Sequence, residues 1–176
     1  TLSPVTNYAK TRRKLSNLEN PMSSAIETRL NELGITLPEA AAPAANYVPF
    51  LQTGNQLFVS GQLPMAGGKL QISGKLGDGL AIDEGKAAAK LCAINLLAQA
   101  KAATGNLDKV ARLVKIVGFV NSTAEFVDQP QVINGASDFL VEAMGEKGRH
   151  ARSAVSAASL PFGAAVEIEA IFEIED

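Results

Sequence analysis

The chain has 176 residues, of which 47% are hydrophobic and 19% are charged, and its formal net charge is −2 at pH 7. These values predict one domain with a short appendage, and the weak acidic balance and 5% aromatic content disfavour nucleic acid as a partner. A single cysteine and a single histidine exclude an internal disulfide and a Cys/His zinc cluster, so we expect no metal and a reducing, cytoplasmic compartment.

The N-terminal part differs in composition from the rest of the chain. Residues 1–46 are predicted to form an arm, a short helix and a linker, and residues 47–176 the compact domain. A basic cluster at residues 10–14 is followed by no apolar segment, which indicates a terminal arm rather than an export signal. Alanine and proline without periodicity at residues 35–46 predict an extended linker.

The short N-terminal helix is predicted from its end signals. Asn20 or Ser23 can serve as N-cap, and Gly34 can end the helix. Three apolar residues follow helical spacing on one face, namely Ile26, Leu30 and Leu33.

The first part of the domain shows β-strand signals. Residues 47–52 and 56–60 are β-prone and are separated by Thr53-Gly54-Asn55, which predicts a hairpin. The glycine-rich residues 66–79 contain neither GxGxxG nor a P-loop motif, so we predict turns around a short strand at 69–72.

A long helix follows, with Asp83 as its predicted N-cap, Glu84 near its positive end and Gly105 at its C-terminus. Cys92 lies among its apolar residues and is interpreted as a small buried hydrophobe rather than a reactive thiol. The apolar stretch 87–103 contains two lysines, which argues against a membrane span.

The remaining elements complete an α+β pattern. Residues 110–121 predict a strand covered on both faces, residues 130–144 a second helix, and residues 152–159 and 165–175 two final strands. The second helix has one apolar stripe and ends at a glycine, as shown by Ile133, Ala136, Leu140, Met144 and Gly145. We therefore predict a mixed sheet with two helices packed on one face.

Charge near the C-terminus provides the first functional signal. The last strand alternates, with apolar residues on one face and carboxylates opposite. A short hairpin is expected to bring Glu167 and Glu169 beside Arg152, whereas Glu173 and Glu175 are interpreted as solvated. An arginine fork near a carboxylate suits a small substrate that bears a carboxylate, but a structural Arg–Glu ion pair fits the spacing equally well.

Three stretches resemble one known family. They are "YVPFLQTGNQLFVSGQLP" from Tyr47, "NLDKVARLVKIVGFVNS" from Asn106 and "HARSAVSAASLPFGAAVEIEAIF" from His150. Together they resemble the YjgF/RidA family of reactive-intermediate imine deaminases over most of the domain. The resemblance implies a chorismate-mutase-like fold and a homotrimer with sites in the clefts between subunits.

The resemblance also implies residue roles. Arg152, in the ARS motif, would bind the substrate carboxylate, and Glu167, the first glutamate of VEIEA, would position or activate the hydrolytic water. The other implied substrate-binding positions are Tyr47, Ser60, Gly61 and Asn134. The implied reaction hydrolyses 2-imino acids to 2-keto acids and ammonia and uses neither metal nor cofactor.

The sequence departs from the family pattern in several places. Ala154 stands where some members have cysteine, and Asn46 where proline commonly precedes the tyrosine. Residues 1–46 are additional to the family core and could cover the cleft. For His150 a loop-positioning or hydrogen-bonding role is favoured over catalysis. A non-enzymatic trimer that binds small carboxylates is the alternative function, and endoribonuclease activity has less support.

Overall fold

The computed structural model of the protein describes residues 24–43 and 45–176. The predicted basic arm lies outside the described residues. The main elements are, in chain order, α1 (Ala25–Glu32), β1 (Phe50–Thr53), β2 (Gln56–Gln62), four short strands β3 (Met65–Ala66), β4 (Lys69–Leu70), β5 (Lys75–Leu76) and β6 (Gly79–Leu80), α2 (Ile82–Thr104), β7 (Val110–Asn121), α3 (Gln129–Met144), β8 (Ala151–Ala157) and β9 (Val166–Ile174).

A five-stranded sheet forms the centre of the fold, in the order β1-β2-β9-β7-β8. The pair β7 and β8 is parallel, and the other neighbours in this sheet are antiparallel. Helices α2 and α3 pack on one face of the sheet, which confirms the predicted α+β fold with a mixed sheet. We call this the helix face and the opposite one the open face.

The predicted hairpin between the last two strands is wrong. Strand β8 pairs in parallel with β7, and β9 pairs with β7 on its other side, so β7 lies between them. The physical reason is the helix α3 between β7 and β8, because a strand–helix–strand unit returns the chain in the same direction. Residues 158–165 then pass over the end of β7, where Asn121 donates from its backbone N–H to the Ala165 carbonyl at 2.9 Å.

The alternation in β9 is confirmed, whereas the prediction that both faces of β7 are covered is wrong within one chain. Leu113 and Ile116 of β7 are fully buried on the helix face, but Val117 and Phe119 on the open face are only partly buried. The buried residues of β9 are Val166, Ile168, Ala170, Phe172 and Ile174.

The N-cap of helix α2 lies two residues before the predicted one. The N-cap is Ala81 rather than Asp83, and its backbone N–H donates to the Glu84 carboxylate at 2.9 Å. Gly105 ends the helix with φ +73°, as predicted. Cys92 is fully buried with Sγ 3.6 Å from the Val166 carbonyl oxygen, which confirms its interpretation as a buried hydrophobe, and burial raises the pKa of its thiol. No helix in the described part of the chain is long and apolar enough to span a membrane.

The N-terminal helix α1 begins after Ser24, which is its N-cap. Its Oγ accepts from the Glu27 backbone N–H at 3.0 Å, and the Glu27 carboxylate accepts from the Ser24 N–H. Glu27 also forms an ion pair with Lys101 of α2. Both predicted N-caps lie outside the described residues.

The segment after α1, residues 35–43, lies along α2, and we call it the strap. Ile35 and Leu37 pack against the core, and the Gln99 side chain donates from Nε2 to the Ala41 carbonyl at 2.9 Å. The strap thus follows the outer side of the helix layer toward the first strand. The division of domains after residue 46 stays a prediction.

Candidate functional site

Arg152 lies in β8 beside Ile116 of β7 and projects onto the helix face. Its Nη1 donates to Ser137 Oγ at 3.1 Å, and its Nη2 donates to the Pro130 carbonyl oxygen at 3.3 Å, both in α3. None of the ion pairs among residues 24–43 and 45–176 includes this guanidinium. A half-buried arginine without a carboxylate partner is suited to bind an anion, and no structural Arg152–Glu pair forms among the described residues.

Asn134 and Arg152, two predicted site residues, line the same cavity of about 280 Å³. We call this cavity the arginine half-site. Its lining is mostly polar and consists of Asn134, Ser137, Val141, Arg149, His150 and Arg152.

Ser137 and His150 link to Arg152 through hydrogen bonds. His150 Nε2 lies 2.9 Å from Ser137 Oγ, and His150 Nδ1 lies 2.6 Å from the Gly148 carbonyl oxygen. These contacts support the predicted hydrogen-bonding role of His150. Sequence reasoning missed Ser137, although its position three residues after Asn134 places both on one side of a helix.

Glu167 lies on the open face, where its partner across the sheet is Phe119 of β7. Its carboxylate lies against Gly61, so close that a methyl group added to Gly61 would overlap it. Desolvation by burial, followed by the negative charge of Glu169, raises the pKa of Glu167. A carboxyl group in this environment is suited to accept and release protons.

Ser60 and Gly61, two of the implied substrate-binding positions, form a β-bulge inside β2. The register with β9 shifts by one residue between Val59 and Gln62, so that Ser60 and Gly61 together face Glu169. Ser60 Oγ donates to the Val48 carbonyl at 2.8 Å. The bulge therefore brings the Gly61 backbone next to Glu167.

A second cavity, of about 160 Å³, contains three of the remaining predicted residues, Tyr47, Ser60 and Gly61. Together with Glu167 these residues form what we call the glutamate half-site. Phe162 lines the same cavity, is 86% exposed and has φ +58°, a backbone conformation that is uncommon for a bulky residue. The strap contributes the other wall through Ala41, Ala42 and Pro43.

The two half-sites do not meet within one chain. Arg152 is on the helix face of β8, Glu167 is on the open face of β9, and β7 separates their strands. The Arg152 guanidinium and the Glu167 carboxyl group therefore lie on different parts of the molecule. A site that contains both groups needs a second copy of the chain.

The open face offers a surface on which chains can meet. A groove of about 320 Å³ runs across it, lined by apolar residues and by Lys115 and Glu169. Three of its apolar residues are largely exposed, namely Val48 (55%), Leu51 (59%) and Phe58 (39%). Contiguous apolar surface of this kind is typical of an interface.

Metal binding has no counterpart in the described residues. In residues 24–43 and 45–176, no three side chains of histidine, cysteine, aspartate or glutamate come together as ligands. The two half-sites bring together guanidinium, carboxyl, imidazole, amide and hydroxyl groups.

Comparisons with known proteins agree with this fold. Residues 27–173 match the family described as "YjgF/chorismate mutase-like, putative endoribonuclease". Protein TCP17 of Trypanosoma cruzi is 50% identical over 155 residues, which are 88% of this chain and 97% of that protein. The crystal structure of protein Atu1372 of Agrobacterium tumefaciens, of unknown function, has 56% identity and a TM-score of 0.81 over 85% of this chain and 92% of that one. RidA from an Antarctic Psychrobacter has 29% identity and a TM-score of 0.55 over 77% of this chain and 94% of that one.

Proposed function

This chain belongs to the YjgF/RidA family, and from that premise we propose that it hydrolyses 2-imino acids to 2-keto acids and ammonia. The proposed substrates are small, such as 2-iminopropanoate and 2-iminobutanoate. The proposed enzyme is a homotrimer with its sites between subunits, and it uses neither metal nor cofactor.

One observation carries the proposal, namely that the Arg152 guanidinium has N–H groups left to bind a carboxylate. Its guanidinium has five N–H groups, and two of them are used by Ser137 and Pro130. The three others are available to a carboxylate, which binds a guanidinium through two parallel hydrogen bonds. Every 2-imino acid carries such a carboxylate next to the reacting carbon, so this grip would fix the imine in place.

Glu167 is the proposed acid–base group. Water adds to the imine carbon while Glu167 accepts a proton from it, and the carbon–nitrogen double bond becomes a single bond. Glu167 then returns this proton to nitrogen, which gives the carbinolamine with one hydroxyl and one amino group. In a second transfer Glu167 takes the hydroxyl proton and passes it to nitrogen, the carbon–nitrogen bond breaks, and ammonia leaves as the carbonyl forms. The overall change is R–C(=NH)–COO⁻ + H₂O → R–CO–COO⁻ + NH₃, which requires no redox partner.

A trimer would unite the two half-sites. In this proposal, one subunit supplies Arg152 and Asn134, and its neighbour supplies Glu167, Tyr47, Ser60 and Gly61. The apolar open face supports such an assembly, because its exposed side chains would be buried against other copies.

The direct test uses 2-iminopropanoate generated in situ by an amino-acid oxidase. We expect the wild-type protein to accelerate its loss, and Arg152→Ala to lower kcat/KM at least about 30-fold, because removal of a charged hydrogen-bond partner in a desolvated site costs about 2 kcal/mol or more. The decay of the imine and the formation of 2-keto acid are both followed.

Arg112→Ala is the control for this test. Arg112 lies in β7 and lines neither half-site, and it is exposed and forms an ion pair with Glu173 at 3.7 Å. We expect this variant to keep its activity within about twofold, as is usual for an exposed ion pair. An inert wild-type protein, or an Arg152→Ala variant as active as wild type, would disprove the proposed mechanism.

The pH dependence of activity tests the role of Glu167. Glu167 must be ionised to accept a proton, so activity is lost as pH falls through its pKa. Burial is the larger cause of the raised pKa of Glu167 and the Glu169 charge the smaller one, so Glu169→Gln should remove part of the shift and let Glu167 ionise at lower pH. We expect the acid limb of the kcat/KM profile to move to lower pH in this variant.

Glu173→Gln is the control for the pH profile. Glu173 lies on the same face of β9 but beside Arg112, at 3.7 Å. Its removal should leave the acid limb in place. An unchanged or upward-shifted limb in Glu169→Gln would rule out Glu167 as the titrating base.

The alternative function is carboxylate binding without turnover, and the same Arg152 geometry would support it. In that case, 2-oxobutanoate would bind to wild type and to Glu167→Gln alike, and no imine would be hydrolysed. The family description also mentions endoribonuclease activity, which an RNA-cleavage assay on the same preparation would reveal.

A further inference from the structure

We infer that Ser137 and His150 are positioning residues that hold the Arg152 guanidinium in its carboxylate-binding orientation. The three side chains share one oxygen atom, because Ser137 Oγ lies 2.9 Å from His150 Nε2 and 3.1 Å from Arg152 Nη1. This inference rests on the proposed function only in assigning the substrate carboxylate to Arg152.

The direction of each hydrogen bond follows from the chemistry of its partners. The Gly148 carbonyl oxygen, 2.6 Å from His150 Nδ1, can only accept, so Nδ1 carries a hydrogen. In the neutral imidazole Nε2 is then an acceptor, and the Ser137 hydroxyl donates to it. The lone pairs of Ser137 Oγ are thereby left for the Arg152 N–H.

The result is a directed chain from Arg152 through Ser137 and His150 to the Gly148 carbonyl. All donors point the same way, and hydrogen bonds in such a chain reinforce one another. Its last member is fixed firmly, because Gly148 is buried and its backbone packs so tightly against Leu140 of α3 that a Cβ would collide with the Leu140 carbonyl. These hydrogen bonds therefore connect the long, flexible side chain of Arg152 to a rigid part of the backbone at Gly148.

Two anchors on different nitrogens fix the plane of the guanidinium. Ser137 holds Nη1, and the Pro130 carbonyl holds Nη2 at 3.3 Å. Without the first anchor, the arginine would sample more rotamers, and carboxylate binding would have to restrict them. The loss should therefore be in binding, and not in the chemical step.

The test is a double-mutant cycle on KM and kcat with 2-iminopropanoate. We expect Ser137→Ala to raise KM about 3- to 10-fold while kcat stays within about twofold, since one hydrogen bond is lost. His150→Leu should act in the same direction. The double variant should be no worse than Ser137→Ala, because His150 acts only through Ser137.

Conservative variants and a second background make the test specific. Ser137→Thr keeps the hydroxyl and His150→Gln keeps an acceptor, so both should restore KM to within about twofold of wild type. In an Arg152→Ala background, Ser137→Ala should have no further effect on KM. Additive effects of the Ser137 and His150 variants, or equal effects with and without Arg152, would overturn the inference.

Calorimetric binding of 2-oxobutanoate separates this inference from the proposed function. If wild type binds the probe without imine turnover and Ser137→Ala weakens binding about 3- to 10-fold, the inference stands and the proposed function fails. If turnover occurs but Ser137→Ala binds the probe as tightly as wild type, the inference fails alone. No binding by wild type would refute both. Thermal denaturation shows whether each variant is folded. If Ser137→Ala is not, Ser137→Cys replaces it, because a thiol of similar size is only a weak hydrogen-bonding group.

Discussion

Mixing Arg152→Ala and Glu167→Gln subunits, each nearly inactive alone, is expected to restore about a quarter of the wild-type activity per site, if subunits assemble at random. The reason is the placement of the two residues on opposite faces of the sheet, with β7 between their strands. A site is intact when one subunit contributes Arg152 and its neighbour contributes Glu167. With equal amounts of the two variants, each of these two conditions is met at about half of the sites.

The experiment uses co-expression of the two variants with different affinity tags, followed by purification on both tags. This selection removes trimers of a single variant, and each remaining trimer has one intact site of three, so the expected activity rises to about a third of wild type per site. The matched control combines Arg152→Ala with the double variant Arg152→Ala/Glu167→Gln, which contains no intact pair in any arrangement. Hybrid assemblies without restored activity would mean that both groups act from one chain, and the proposed intersubunit site would then be wrong.

Replacing Gly61 by alanine is expected to lower kcat about 100-fold, because a displacement of a catalytic group by about 1 Å can cost that much. The added methyl group would overlap the Glu167 carboxylate, and the Gly61 backbone cannot withdraw easily because it belongs to a bulge hydrogen-bonded within β2 and β9. The variant is assayed with 2-iminopropanoate at saturating concentration.

Gly118→Ala serves as the stability control for this variant. A methyl group at Gly118 would collide with Ile133 in the core, and neither of these residues lines a half-site. Overpacking of this kind costs about 1–3 kcal/mol of stability, which should appear as a lower Tm with little loss of kcat. If Gly61→Ala retains wild-type kcat, Glu167 is not held where the proposed mechanism needs it.

Features that depend only on residues close together in the sequence were predictable. The bounds of β7, the apolar stripe of α3 and the αL position of Gly105 all follow from local periodicity or from a local backbone requirement. The alternation of β9 was predictable for the same reason, since side chains of a strand alternate between faces whatever its partners are.

Features that depend on which strands pair were not predictable from spacing alone. The interval between Arg152 and Glu167 fits a hairpin, but α3 makes β8 parallel to β7 and leaves the other side of β7 to β9. Ser137 was missed because a single hydroxyl within a helix has no pattern of its own. Its importance becomes visible only when α3 is packed against the edge of the sheet.

The candidate site residues fall into the two groups that the structure defines. Asn134 shares a cavity with Arg152, and Tyr47, Ser60 and Gly61 share another. Spacing along the chain could not separate these groups, because membership depends on which face and which edge of the sheet a residue occupies. Their roles in catalysis stay predictions.

The strap gives a reason for the composition of α2. Leu37 and the three residues that follow it line one cavity together with Ala98 and Ala102 of α2, and the Gln99 side chain between these two alanines donates to the Ala41 carbonyl. The strap and the sheet thus approach this helix from two sides, and side chains larger than alanine would keep the strap's backbone at a distance. The alanine-rich sequence of α2 is therefore explained by the strap, which precedes the first strand and runs beside this helix. A run of alanines in a helix can indicate that another segment passes close to its backbone.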